Sequence, residues 1–162
     1  MAAKAMLIRF AIGMALAVTA ISTQATARGG GMPSEDLWAA VHIEGLPATV
    51  RRVISRETQE CGGKLAAQHA FTRYIAGAHI RLIAVHYEHT NCPQRRVLCS
   101  DGSCLHQVFV SSGGDYRLVL SVHAVEIELQ LVNKSPAVAI DCHSGSRCTR
   151  TLIWNGSRFV PH

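Results

Sequence analysis

The chain has 162 residues, 48% hydrophobic and 17% charged, with 13 Gly, 5 Pro and six Cys. That composition excludes a disordered tail, a fibrous repeat and a low-complexity protein, and the length points to one domain. The formal net charge of +5 does not signal a nucleic-acid partner: basic residues are scattered, paired only at Arg51-Arg52 and Arg95-Arg96, whereas counterion release rewards a clustered stripe.

Lys4 and Arg9 lead into a 12-residue apolar run from Phe10 to Ile21, and Ala25-Thr26-Ala27 supplies the small residues a signal peptidase inspects. This is the pattern of a secretory signal over residues 1–27. The run is shorter than the roughly 20 apolar residues that span a bilayer. Cleavage after Ala27 removes two cations, so the mature net charge is about +3. No Cys lies in the cleavage region to carry a lipid, and no second long apolar stretch follows. The expected location is periplasmic or secreted, with no stable membrane insertion after cleavage.

Residues 28–33 are Gly-rich and read as a flexible lead, and 34–162 as a single α+β domain. Ser34 suits an N-cap, with Glu35 and Asp36 at the positive end of a helix dipole and Leu37, Trp38 and Val41 at helical spacing. Gly45 ends that helix. Pro47 opens a second through about Cys61, with Val50, Val53 and Ile54 on one face, the basic residues mostly on the other, and Gly62-Gly63 beyond it.

After Gly63 the period changes from helical to alternating. Strands are expected over 68–76, 79–88, 105–111, 116–123, 125–132, 137–142 and 149–154, with turn residues in the gaps. In the fifth, Val125, Ile127, Leu129 and Leu131 alternate with Glu126, Glu128 and Gln130, predicting one buried and one wet face. The single change of period predicts two N-terminal helices packed on an antiparallel meander of six or seven strands.

All six Cys follow the signal, which in an oxidising compartment predicts a disulfide framework. Cys99 with Cys104 and Cys142 with Cys148 each enclose a Gly-containing turn, leaving Cys61 with Cys92 to tie the helical part to the sheet; Cys92 with Cys99 is the competing pairing. Cys99, Cys104 and nearby His106 fit zinc spacing loosely, but no second Cys pair has finger-like spacing.

Nine His are present, most densely in His86-Tyr87-Glu88-His89. On a strand His86 and Glu88 share a face and His89 turns away, so the three are weak metal candidates and no metal or other cofactor is expected. Asp141, His143 and Ser144 have the residue types of a hydrolase triad but are too close in sequence to form one. Glu126 and Glu128 read as a strand's solvent face, and Trp38 and Trp154 as packing residues. No catalytic residue is assigned, and the chain is more readily a non-enzyme.

Two resemblances add to this. Leu46-Pro47 through Cys61-Gly62, His86-Tyr87-Glu88, Cys99, Gly102-Ser103-Cys104-Leu105-His106, Tyr116-Arg117-Leu118-Val119, Cys148-Thr149-Arg150, Trp154-Asn155-Gly156 and Phe159 together resemble a set of small secreted proteins of alphaproteobacteria, which brings no activity with it. Ser112-Gly113-Gly114-Asp115-Tyr116 is similar to the Ser-Gly-x-x-Tyr stretch of periplasmic C-type lysozyme inhibitors, small disulfide-bonded β-barrels in which a Ser on that loop enters the lysozyme cleft. The match covers five residues, and the early Tyr-x-Cys of that family is missing. It implicates Ser112 and Tyr116 in binding. The expected function is a non-catalytic interaction domain of the cell envelope whose partner is a protein or envelope component. A hydrolase inhibitor, and a small secreted hydrolase or metal-binding protein, are the alternatives.

Overall fold

The computed structural model describes residues 37–77, 80–141 and 150–162. The expected signal, the flexible lead, Ser34 to Asp36 and the Cys142–Cys148 bridge lie outside these residues. Among the described residues the protein is mostly β: nine strands in two antiparallel sheets, with two short helices.

The helices are smaller than the sequence suggests. Helix α1 is one turn, Val41–Glu44, because Ala39 is engaged in a β-bridge with Ala67 through reciprocal N–H to carbonyl bonds of 3.0 and 3.2 Å. Leu37 and Val41 are consequently exposed rather than core. Helix α2, Ala48–Glu57, begins after Pro47 as expected and buries Val50 and Ile54; the chain then tightens into a 3-10 turn at Gln59–Cys61.

The first sheet contains β1 (Thr72–Ala76), β2 (Arg81–His86), β3 (Cys99–Ser100), β4 (Ser103–Ser112) and β5 (Asp115–Ala124). Its order is β1-β2-β4-β5, with short β3 also paired to the start of β4. The second is a meander of β6 (Glu126–Val132), β7 (Ser135–Asp141), β8 (Arg150–Trp154) and β9 (Phe159–Pro161). One meander of six or seven strands is therefore corrected to two sheets, the chain passing between them through Val125 alone. Asp101-Gly102, Gly113-Gly114 and Asn133-Lys134 all take positive φ, the conformation that two-residue hairpin turns require.

Strands β2 and β4 are buried on both faces. Ile83, Val85, Leu105 and Phe109 pack with Val50, Ile54 and Phe71 beneath the helices. Leu82, Ala84, Val108 and Val110 pack with Ile127, Val138, Ile140 and Leu152 of the second sheet. Only part of the expected alternation in β6 survives: Ile127 is buried, but Leu131 is 49% and Val125 41% exposed. Strand β6 lies at the edge of its sheet, so apolar residues near its ends lack an opposing layer.

Two expected disulfides are present among the described residues, Cys61–Cys92 and Cys99–Cys104. They fit an oxidising compartment rather than the cytosol. No helix among the described residues is long and apolar enough to cross a membrane. The Cys99–Cys104 bridge closes a loop of separation 5, for which chain entropy gives about 2 kcal/mol. Replacing both residues by Ser should lower unfolding free energy by about that amount in urea titrations, and an unchanged midpoint would refute it.

Candidate metal centre

His86 and His106 are direct cross-strand partners on β2 and β4. Alternation puts them on the same face as Ala84 and Val108, toward the second sheet. Both are buried, His106 completely. A polar residue in such a layer needs partners, because an unpaired buried polar group costs about 1–3 kcal/mol.

Strand β2 stops at His86, and Tyr87–His89 forms a 3-10 turn. The expectation of a strand through Glu88 is therefore corrected. Thr90 closes the turn, its backbone N–H and hydroxyl donating to the Tyr87 carbonyl at 3.2 and 2.7 Å. Tyr87 is anchored in the helix-side core, where its hydroxyl donates to Gln107 Oε1 at 2.8 Å. Beyond the turn, Ala67 bridges to Thr90, the Ala66 N–H donates to Asn91 Oδ1, and Cys92 is bonded to Cys61.

The turn carries the Glu88 carboxylate back over the histidine pair. Its Oε1 lies 3.8 Å from His86 Nδ1 and its Oε2 3.8 Å from His106 Nδ1, while the two Nδ1 atoms are 3.2 Å apart. His86, Glu88 and His106 thus each offer one ligand atom, all within 4.8 Å of one another. Four ligands at zinc–nitrogen and zinc–oxygen distances of about 2.0–2.1 Å form a tetrahedron with edges of about 3.3 Å. The two Nδ1 atoms stand at about such an edge, and the Glu88 carboxylate faces both of them, with a different oxygen 3.8 Å from each.

Protonation of His106 fits the same geometry. His106 Nε2 lies 3.2 Å from the Ala124 carbonyl, which only accepts, so the ring proton sits on Nε2 and Nδ1 presents its lone pair inward. A backbone carbonyl on the far nitrogen is the usual support for a metal-bound imidazole. Since His106 Nδ1 then only accepts, His86 Nδ1 donates to it in the metal-free protein at 3.2 Å, and ligation through His86 Nδ1 moves that proton to Nε2, which like Glu88 Oε2 is buried without a hydrogen-bond partner. Burial, then the charges of His106, His89 and Arg73, hold His86 down at about 4. Burial likewise holds His106 at about 4, against the opposing bond to Ala124. Both rings are therefore neutral at pH 7, as metal ligation requires. Burial pushes the Glu88 carboxyl above its ordinary range.

His86 and Glu88 line a recess of about 290 Å³ together with Arg73, His89, Glu126 and Glu128, while His106 lies behind them, outside its lining. Of the three weak candidates named from sequence, His86 and Glu88 meet directly, while His89 stands beside them, its Nε2 3.8 Å from Glu88 Oε1. The residue missed was His106. Its position in the apolar alternation of Leu105 to Val110 was the available signal, since it interrupts the face shared with Val108 and Val110.

The other candidates do not join this site. Ser112 is exposed at the end of β4, beside the Gly113-Gly114 turn, while Tyr116 is half-buried against the helix-side core. The adjacent Asp115 carboxylate accepts from Thr49 and the Tyr116 N–H, which hold it below its ordinary range. Of the triad types, His143 and Ser144 lie outside the described residues. Comparison with protein-family models, curated proteins and solved structures found no match to the chain.

Proposed function

We propose that this is an exported, disulfide-stabilised protein that binds one divalent transition-metal ion through His86, Glu88 and His106. The reading rests on one observation: three ligand atoms from β2, its terminal turn and β4 converge within 4.8 Å, two of the three residues being fully or nearly fully buried. It replaces the expectation of a chain without a cofactor and supplies a ligand where an envelope partner was expected. Two imidazoles and a carboxylate suit zinc, with copper(II) tighter by the usual order of affinities, and disfavour magnesium and calcium, which prefer oxygen. Export follows from the secretory-type N-terminus together with the disulfides.

Isothermal titration of the oxidised protein should give one zinc per chain and no heat with magnesium or calcium. Zinc at 100 times its dissociation constant should add about 2.7 kcal/mol of stability. The double variant His86→Ala, His106→Ala should lose both effects. Stoichiometric binding that persists in that variant would refute the assignment.

A further inference from the structure

We propose that the recess in front of the metal centre binds a small zwitterion, with its carboxylate on the ion and Arg73 and its ammonium group on Glu126 and Glu128. The inference rests on the reading of His86, Glu88 and His106 as metal ligands, and adds the class of molecule the centre meets. Three protein ligands leave one position of a four-coordinate ion, the position that catalytic zinc sites keep for water or substrate. His86 and Glu88 line the recess and His106 is enclosed behind them, so the recess is the side from which a molecule reaches the ion. Arg73 enters this recess by register. It pairs with Ala84 across β1 and β2, and His86 follows Ala84 by two residues, so Arg73 projects from the same face of the sheet as His86. Diagonal neighbours at that offset are about 7–8 Å apart, within reach of a long side chain.

The recess holds charges of both signs that do not neutralise one another. Glu126 and Glu128 are two residues apart on β6, hence on one side of that strand, and both are exposed. Among the described residues Arg73 forms an ion pair with neither of them, although all three line the same recess of about 290 Å³. That volume is at the small end of the roughly 300–1,000 Å³ of ligand pockets. A lone anion would be repelled by the two carboxylates, and a lone cation by Arg73 and the ion, whereas a molecule carrying both charges satisfies each wall. A guanidinium is also the side chain best shaped to take a carboxylate through two parallel hydrogen bonds. Tyr74, Ile127 and Leu129 also line the recess and suit a short apolar side chain. A free amino acid and a short peptide share this chemistry.

The test is calorimetric titration of the zinc-loaded, oxidised protein with L-alanine and L-alanyl-L-alanine, and with acetate and ethylammonium as single-charge controls. The better zwitterion should bind about tenfold or more tighter than acetate, as one charge-assisted hydrogen bond gives, and ethylammonium should give no heat. Tighter binding of alanine identifies a free amino acid as the ligand, and of alanyl-alanine a peptide. Arg73→Gln should weaken zwitterion and acetate alike by about tenfold or more. The double variant Glu126→Gln, Glu128→Gln should weaken the zwitterion and leave acetate no weaker. Removing the zinc should weaken the zwitterion as well. Both variants should keep one zinc per chain and the wild-type unfolding temperature, which separates lost binding from misfolding. If no zwitterion binds tighter than acetate, or if the double variant binds it as the wild type does, the zwitterion site is overturned while the metal centre stands. If the wild type takes up no zinc, both readings fall.

Discussion

Replacing Cys61 and Cys92 by Ser should cost the fold about 4 kcal/mol and weaken the metal centre with it. The two residues are 31 apart in sequence, so the bridge removes more unfolded-state freedom than the five-residue separation of Cys99–Cys104. Against total stabilities of about 5–15 kcal/mol, this is a large fraction. The bridge also has a local role, because Cys92 follows the Tyr87–His89 turn by three residues and Cys61 ends the 3-10 turn after α2. It pins the segment carrying Glu88 and His89 to the helical layer. Denaturant unfolding of the double variant in EDTA measures the first effect and zinc titration the second. An unfolding free energy within about 1 kcal/mol of wild type would contradict the chain-entropy account.

Without metal, the protein should lose stability steeply as the pH falls from about 6.5 to about 4. Histidine in an unfolded chain titrates near 6.5, whereas His86 and His106 are held at about 4 in the fold, chiefly by burial. Between these values the unfolded chain binds more protons, so stability falls with pH. The contribution is fully present above about 6.5 and gone below about 4. Each ring taken alone corresponds to roughly 3 kcal/mol. The pair contributes less than twice that, since one protonated ring already disfavours the other. Urea unfolding in EDTA across this range tests it, with His86→Gln, His106→Gln as reference. If wild type and reference show the same pH slope, the neutral buried pair is not the cause.

Much of the β-structure is legible in the chain because its turns are punctuated. Asp101-Gly102, Gly113-Gly114 and Asn133-Lys134 sit at positive φ where the sequence places reversals, and the strands expected on both sides of the last two are present. The division into two sheets is not legible. Val125, where the chain changes sheet, is a β-branched residue between Ala124 and Glu126 with no Gly or Pro beside it, and turn chemistry marks reversals rather than a strand leaving one sheet for another. Strands of two or three residues, Cys99–Ser100 and Phe159–Pro161, are too short for alternation to register.

The site was half legible for a related reason. Tyr87-Glu88-His89 contains no Gly, Pro, Asn or Asp, so nothing local announces that β2 ends there. The Thr90 hydroxyl bond to the Tyr87 carbonyl and the anchoring of Tyr87 on Gln107 end it, and Gln107 is 20 residues away in sequence. His106 joins His86 only through the β2–β4 register, a long-range pairing that a single sequence does not reveal.

The most direct measurement is a crystal structure of the zinc-soaked protein with anomalous data collected on both sides of the zinc edge. The account predicts one strong peak about 2.0–2.2 Å from His86 Nδ1, His106 Nδ1 and a Glu88 carboxylate oxygen. A fully occupied zinc elsewhere on the chain, with Glu88 turned away from the two imidazoles, would contradict it.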